Sequence, residues 1–324
     1  MTTQPGRKQG TNFAAVDDAS SFRRMAASMW SKPTDPTIYG SMDVDVTTTL
    51  AFIEDFRART GLPLTLTHIV ARATAQAFAR HRALNAKVRF WGKLEQRSSV
   101  DLFISVSTDG GKDLSGVRLD RTEDLSLKDL VDAVKGKARA IRDGDDATYQ
   151  RSRDLFKTMP WWMARPALWL TDVLTNELHV HLPAQGMPRD PFGTAVITNV
   201  GSFGIDTAFA PFLPLARCPL LLLMTEVKDR AVVVDGDLAV RPILRLCGTF
   251  DHRIIDGFHA GLLANDIRAL IEDPAATLGA AKHRSPAVAA PLPIAPTAPE
   301  QAGAPEAGRP GSRGAAPAQM GMVA

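Results

Sequence analysis

The sequence predicts an α/β protein in which helices flank one mixed sheet. Helical and strand patterns alternate along most of the chain, several strand-like runs are apolar enough to be buried on both faces, and no internal repeat is visible. Hydrophobic residues make up 45% of the 324 residues, which is enough to fill a sizeable core. A soluble-type protein with one large folded body is therefore expected.

The N-terminal half begins with a helix that serines can cap. Ser20 and Ser21 stand directly before the apolar periodicity, and Pro33 lies beyond its end. Helices are predicted where apolar residues recur every three or four positions, and strands where apolar and polar residues alternate. In order, the elements are a helix over 22–30, a strand over 39–46, helices over 47–60 and 65–82, strands over 87–91 and 100–107, and a helix over 125–141.

The C-terminal half is dominated by strands. Runs such as LLLLM at 220–224 are almost continuously apolar, which is typical of central strands. The last helix ends before Pro274, since the residue preceding a proline disfavours helical backbone angles. The predicted elements are strands over 195–199, 220–227, 231–234 and 243–250, followed by a helix over 260–271.

Composition excludes several classes of protein. Lys and Arg number 38 against 35 Asp and Glu, so the net charge of +3 gives no strong attraction to nucleic acid. Cys218 and Cys247 are the only cysteines, which excludes a disulfide framework and a thiolate zinc site and favours a reducing compartment. No secretory leader and no run approaching 18 apolar residues is found. We therefore expect a cytoplasmic protein without a metal.

Three segments are expected along the chain. One folded body occupies residues 15–283, and residues 1–14 and 284–324 are expected to be disordered. The C-terminal segment is rich in Ala, Pro and Gly and lacks periodicity, so it cannot bury enough apolar surface to offset its ordering entropy.

The motif DHRIIDGFH follows directly after a strand-like run and contains His252, Asp256 and Gly257. A neutral histidine can remove a proton from a thiol or hydroxyl nucleophile, and an aspartate four residues later can fix the ring or its loop. The spacing alone also fits an ordinary loop histidine beside a turn-forming Asp-Gly pair.

Together with its surroundings, this motif resembles the dihydrolipoamide acyltransferases of 2-oxoacid dehydrogenase complexes, which share a fold with chloramphenicol acetyltransferase. The segment AVITNVGSFG resembles the family's TISNLGMFG segment, and FRRMAASMW, YGSMDVDV and LTLTHIVARATAQAFARHRALNA resemble its opening elements in order. The resemblance covers roughly residues 20–143 and 193–275. It implies a chloramphenicol acetyltransferase-like fold and acyl transfer with coenzyme A as co-substrate.

The resemblance assigns roles to the residues of the motif. His252 matches the general base that deprotonates the attacking thiol. Asp256 matches the acidic residue that orients the active-site loop, often through an arginine, for which Arg24 or Arg23 is the candidate. His259 is expected to be a packing or surface residue rather than a second base.

A second segment matches the part of the family that stabilises the tetrahedral oxyanion. Thr198 occupies the position of the family's serine and keeps a hydroxyl donor, while Asn199 and Gly201 complete that motif. The alternative is that Thr198 is an ordinary β-branched strand residue.

The resemblance also implies a homotrimer with its active sites between subunits. His252 of one chain would act with Thr198 of its neighbour, and coenzyme A and the acceptor would enter from opposite ends. The family's hydrophobic anchor is missing after the last helix, so we expect trimers that assemble no further.

Two departures from the family leave the substrate open. The sequence has no lipoyl attachment site, so a separate lipoylated protein or another acyl carrier is expected. An apolar insert at about 150–190 carries Trp161, Trp162 and Trp169, and Pro160 and Pro166 are expected to break it into short helices. The insert could be extra core, a cover that selects hydrophobic acyl groups, or a patch that contacts a partner or a membrane surface.

The favoured function is a coenzyme A-dependent acyltransferase. The alternatives are a non-catalytic trimeric scaffold built on the same fold and an acyltransferase that works at a membrane surface through the region of Trp161 and Trp162.

Overall fold

The computed structural model describes residues 35–108, 113–143, 160–181, 189–212 and 215–275, which all fall within one compact unit, Met1–Ala289. The helices are α1 (Thr47–Thr60), α2 (Leu66–Arg80), α3 (Leu127–Asp143), α4 (Trp161–Asp172) and α5 (Gly257–Glu272). The strands are β1 (Thr37–Asp45), β2 (Ala86–Val88), β3 (Leu94–Gln96), β4 (Leu102–Thr108), β5 (Asp113–Leu119), β6 (Ala195–Asn199), β7 (Leu220–Val234) and β8 (Asp237–Asp251).

Some predicted features fall outside the described residues. These are the ends at 1–14 and 284–324, the helix over 22–30 with Arg23 and Arg24, and parts of the insert.

Six strands form one mixed sheet in the order β1-β8-β7-β6-β4-β5, and β2 and β3 form a separate hairpin. Strand β6 runs parallel to both of its neighbours, β4 and β7, while the other pairs are antiparallel. The predicted α/β fold with a mixed sheet and flanking helices is therefore confirmed. No described helix combines the length and the apolar character needed to cross a bilayer.

The main core lies between the helices and one face of the sheet. Ile69 and Phe78 of α2 and Ile271 of α5 belong to the same buried cluster as Leu222 and Leu244 of the sheet. Helix α2 is buried along nearly its whole length, because its many alanines allow the sheet, α3 and α5 to approach closely. Burial on this scale is the main stabilising contribution to the fold.

A smaller apolar cluster lies on the opposite face of the sheet. Val196, Leu221 and Leu223 alternate along their strands with residues of the main core, as side chains of a strand buried on both faces do. Cys218 and Cys247 are buried in this second cluster as free thiols.

Strands β7 and β8 form a hairpin that extends well beyond its neighbours. Asp235 and Gly236 join the strands with positive φ values, as a tight two-residue turn requires. The part from Asp229 to Pro242 pairs only within the hairpin and leaves Val233, Leu238 and Val240 exposed. The sequence predicted separate strands over 220–227 and 231–234 in place of the continuous β7. A ribbon with solvent on both faces does not need alternating apolar and polar residues, so the pattern that marks a strand is interrupted there.

The strand predicted over 87–91 is shorter than expected. Strand β2 ends at Val88, and the chain turns through Phe90–Gly92, where Trp91 is fully exposed at a φ of 62°. Strands β3 and β5 were not predicted.

The described part of the insert is one helix rather than several. Helix α4 contains Pro166 and continues into a π-helical turn, Val173–Glu177. The prolines were expected to break it, but the carbonyl that Pro166 leaves without a donor belongs to Trp162, which is exposed to water.

Arginines from outside the insert bind the C-terminal end of α4 and the π-helical turn that follows it. Arg217 pairs with both Asp172 and Glu177, and Arg89 also pairs with Glu177. The interpretation of the insert as extra core stays a prediction: Trp162 and Trp169 are 63% and 62% exposed in the single chain, whereas Thr175 and Asn176 are buried.

Candidate active site

The turn after β8 exposes His252 to solvent, and hydrogen bonds hold the backbone of this turn in place. The backbone N–H of His252 donates to the carbonyl oxygen of Pro36 (2.9 Å). The neighbouring carboxylate, Asp251, is buried and accepts from Nε (2.9 Å) and Nη2 (2.7 Å) of Arg253. The carbonyl oxygen of Asp251 accepts from the N–H groups of Ile254 and Ile255. The position of His252 is thereby fixed while its imidazole remains accessible.

Asp256 caps the N-terminus of α5, and Gly257 is the first residue of that helix. The carboxylate of Asp256 accepts the backbone N–H of His259 (2.9 Å), and Nδ1 of His259 lies 2.8 Å from the same oxygen, Oδ1. The backbone N–H and the imidazole of His259 hold the pKa of Asp256 below its ordinary value. Asp256 is therefore ionised at neutral pH and fixes the start of the helix that follows His252.

Thr198 lies near the end of the central strand β6 and is half-buried. By strand alternation its side chain points to the same face as Val196, opposite the helices. Asn199 points to the other face, where its Nδ2 donates to Oγ1 of Thr67 (3.3 Å) and its Oδ1 accepts the N–H of Gly201 (2.9 Å). The loop after Thr198 is thus tied to the first turn of α2.

Gly201 is required by the space available to the chain. A Cβ atom at this position would lie 2.4 Å from the carbonyl oxygen of Thr225 on β7. The adjacent N–H of Val200 donates to the carbonyl oxygen of Met224 (2.9 Å). The loop therefore lies directly against β7.

One chain does not bring His252 and Thr198 together. Thr198 lies level with Leu223 and Cys247 in the strand register, and His252 follows Cys247 by five residues. At about 3.3 Å per residue and about 4.8 Å per strand, the two backbone positions are roughly 20 Å apart. No hydrogen bond or ion pair connects the two side chains, both of which are described.

Several supporting contacts could not be found in the sequence. Thr67 and the Asp251–Arg253 pair carry no motif, and the contact of His259 with Asp256 was not predicted. The i, i+3 spacing at a helix start was the available signal for this last contact. The predicted arginine partner of Asp256, Arg24 or Arg23, lies outside the described residues.

The other histidines that the structure describes have partners other than a metal site. No group of three or more His, Cys, Asp or Glu residues that could hold a metal ion occurs in the described ranges. His81 and His179 do have acidic partners, which their sequence neighbours did not indicate: Asp266 and Glu95, each at 2.9 Å.

One family of known proteins matches both the folded part of this chain and the DHRIIDGFH motif. The chain matches the family model described as 2-oxoacid dehydrogenases acyltransferase (catalytic domain) over residues 17–150 and 191–279. The unmatched stretch between them coincides with the predicted insert. The lipoamide acyltransferase component of the branched-chain alpha-keto acid dehydrogenase complex of Bacillus subtilis is 24% identical over 248 residues. These residues are 75% of this chain but 48% of the relative, so the chain spans about half of that protein.

Two solved structures share the fold. The cubic core of the pyruvate dehydrogenase multienzyme complex has a TM-score of 0.57 at 18% identity, with 86% of this chain and 100% of that chain covered. A dihydrolipoamide acetyltransferase from Azotobacter vinelandii has a TM-score of 0.56 at 18% identity with the same coverage. The description of that enzyme assigns a role in its catalytic mechanism to a serine, a histidine and an asparagine.

Proposed function

The chain belongs to the 2-oxoacid dehydrogenase acyltransferase family, and on this premise we propose that it is a coenzyme A-dependent acyltransferase. The acyl group moves between coenzyme A and a thiol of the dihydrolipoyl type or another small acceptor. The observation that carries the proposal is the exposed His252, held on a turn between the buried Asp251, which pairs with the exposed Arg253, and the cap residue Asp256.

Each group has a role in the transfer. His252 removes the proton from the acceptor thiol, and the thiolate attacks the carbonyl carbon of the acyl thioester. The hydroxyl of Thr198 donates to the oxyanion of the tetrahedral intermediate. When the intermediate collapses, the carbon–sulfur bond to coenzyme A breaks, and the departing thiolate takes the proton from the imidazolium of His252.

The Azotobacter enzyme supports these assignments. The histidine and asparagine in its description are four positions apart, as His252 and Asp256 are here. An asparagine side chain can accept the same backbone hydrogen bond as Asp256 does at the start of α5. We therefore assign to Asp256 a positioning role rather than direct contact with substrate.

The working unit is proposed to be a homotrimer with the site between chains. His252 and Thr198 are too far apart in one chain, so the hydroxyl of a neighbouring chain has to complete the site. The exposed apolar side chains of the β7–β8 hairpin offer surface for such a contact. A separate lipoylated protein is the proposed acyl carrier for this chain.

The direct test measures release of coenzyme A thiol from a panel of acyl-CoA donors with dihydrolipoamide as acceptor. The wild type should release thiol only when the acceptor is present, and His252→Ala should lower the rate by about 10²–10⁴-fold because the general base is lost. His81→Ala is the matched control, because this histidine pairs with Asp266 on the helical side of the core.

The outcomes separate the candidate functions. Release that survives His252→Ala would refute the base assignment. Release that depends on His252 but not on dihydrolipoamide would indicate another acceptor. No release from any donor, with the oligomer intact, would favour the scaffold.

A second candidate function has one specific observation in its favour. Trp162 and Trp169 lie about two helical turns apart on α4, Leu170 follows Trp169 directly, and all three are more than half exposed. Such a stripe favours a partner or membrane surface rather than core. A Trp162→Ser/Trp169→Ser variant should lose co-sedimentation with anionic vesicles if the enzyme works at a membrane, whereas unchanged sedimentation would exclude that role for α4.

A further inference from the structure

A polar pocket of ≈ 220 Å³ lies where the end of the insert meets the β2–β3 hairpin. Every lining side chain is polar or charged, and the insert contributes His179, Arg189 and Asp190. Residues 151–190 lie outside the family match, so part of this wall is formed by a segment that the family model does not cover. The pocket is separate from the His252 motif.

Lys87 is the unusual group in this pocket. Its side chain is 5% exposed, and its ammonium has one described partner, Oε2 of Glu95 at 3.4 Å across the hairpin. An ammonium has three N–H donors, so two remain for a ligand. Burial holds the pKa of Lys87 below its ordinary value, although the nearby carboxylates oppose this effect. An additional negative charge would therefore stabilise the buried ammonium.

The carboxylates around the pocket are already paired. Asp190 accepts from Nε (2.6 Å) and Nη2 (2.8 Å) of Arg97. Glu95 is bound by Nε2 of His179 (2.9 Å) as well as by Lys87. The pocket thus has occupied acceptors and spare donors, which is the arrangement that an anion completes.

A third acid of the wall is paired in the same way. Asp101 accepts from Nη2 of Arg118 (2.6 Å) and from Oγ of Ser99 (2.9 Å). The guanidinium of Arg189 has no described ion-pair partner. Basic side chains in the wall therefore outnumber acidic ones by one, four to three.

We propose that this pocket binds the phosphate group of a small ligand, with the ammonium of Lys87 as the principal contact and Arg189 as a second. Phosphate suits the site because its oxygens accept several hydrogen bonds and its charge matches one buried and one exposed cation. The pocket volume leaves room for the phosphate group and bridging water.

The pocket lies at the end of the sheet that carries His252. Nη2 of Arg97 donates to the carbonyl oxygen of Arg217 (3.2 Å), and two residues later the carbonyl of Pro219 accepts the N–H of Asp251 (3.1 Å). The phosphate could therefore be a free anion or part of a phosphorylated co-substrate. The second source rests on the proposed function.

The test titrates inorganic phosphate into the full-length protein by calorimetry at constant ionic strength, with chloride as the reference anion. Saturable binding to the wild type is expected, and Lys87→Met should weaken it at least about tenfold, because a charge-assisted hydrogen bond is lost. Lys93→Met is the matched control, since Lys93 is an exposed lysine of the same hairpin and should leave the affinity unchanged.

Two results would overturn the proposal: no saturable binding to the wild type, or equal losses in both lysine variants. If Lys87→Met does not fold, Arg189→Met replaces it, because Arg189 is exposed and the fold does not depend on its side chain. Unchanged phosphate affinity in a folded Arg189→Met variant would then overturn the two-cation site.

Kinetics distinguish the two sources. A higher KM for acyl-CoA at unchanged kcat in Lys87→Met would show that the phosphate belongs to the co-substrate. An unchanged KM with lost phosphate binding would show a free anion, and either result supports the pocket. Failure of the proposed function is distinguishable, because phosphate titration needs no turnover.

Discussion

At Gly201 the chain passes so close to β7 that any side chain would strike the backbone of Thr225. Gly201→Ala should therefore shift the loop after Thr198, lower the free energy of unfolding by about 1–3 kcal/mol and reduce activity. Urea denaturation measures the change in the free energy of unfolding. Gly261→Ala is the control, because no atom lies within 4 Å of its new Cβ on α5, and helix propensity predicts a gain of up to about 1 kcal/mol. Equal urea midpoints for the two variants would contradict the close approach.

The hydroxyl of Thr198 can be tested without changing its shape. Thr198→Val keeps the branched side chain but removes the donor, so kcat should fall by about 10²–10³-fold. Thr198→Ser keeps the donor and should retain most of the activity. If Thr198→Val were as active as Thr198→Ser, the oxyanion role would be refuted and Thr198 would be an ordinary strand residue.

The sequence named candidate chemical groups for this site but not the contacts that hold them in place. His252, Asp256 and Thr198 could be named because a motif requires particular residue types at fixed spacing. The hydrogen bond from Asn199 to Thr67 joins residues 132 positions apart, and no local pattern indicates such a contact. The assigned roles of these residues stay predictions until the variants are measured.

Among the elements, those with a single dominant pattern were predicted best. Helix α1 and strand β6 have the predicted bounds, 47–60 and 195–199. Strand β5 was missed because Gly116 and neighbouring polar residues disfavour a strand. In the structure the ring of Phe103 on β4 lies over Gly116, so pairing with β4 provides what local propensity does not.

The start of helix α2 makes stability depend on pH. Burial lowers the pKa of His68 from 6.5 to about 4, and Nδ1 of His68 accepts the backbone N–H of Thr65. The unfolded chain binds a proton near pH 6.5 and the folded chain only near pH 4, so stability falls as pH drops through this window. When the pH is lowered from 7 to 5, the free energy of unfolding of the wild type should fall by roughly 2 kcal/mol more than that of His68→Gln. Equal losses in urea denaturation would contradict this prediction.

The outward face of helix α4 should contribute little to the stability of the chain. Trp162→Ser/Trp169→Ser should change the free energy of unfolding by no more than about 0.5 kcal/mol per site, because both indoles are exposed. The buried ring of Phe78 on α2 gives the contrast, since Phe78→Ala should cost about 3–5 kcal/mol. Thermal denaturation distinguishes these cases, and a large loss in the Trp variant would mean that α4 is covered in solution.

At the scale of the whole molecule, the distance between His252 and Thr198 predicts complementation between inactive chains. His252→Ala and Thr198→Val each remove one half of every site. After the two variants are unfolded together and refolded as mixed trimers, about one quarter of the interfaces should combine an intact histidine with an intact threonine. Activity should recover accordingly, and the mass by light scattering should be three times the 35.0 kDa of one chain.

Two controls accompany this experiment. Each variant refolded alone should stay inactive, and mixing without unfolding should restore nothing. No recovery in genuinely mixed trimers would place the whole site within one chain, and a much larger particle would contradict trimers that assemble no further.

The burial of Cys218 and Cys247 determines whether the acyl donor can react with the protein's own thiols. An acyl thioester transfers its acyl group to whichever thiolate meets it, and only the thiolate form of a cysteine reacts. Burial raises the pKa of Cys218 to about 12, and the side chain of Cys247 has no contact with solvent. The folded chain is therefore protected against acylating its own cysteines. Titration with a chromogenic disulfide reagent should detect no reactive thiol in the native protein and two thiols per chain after denaturation.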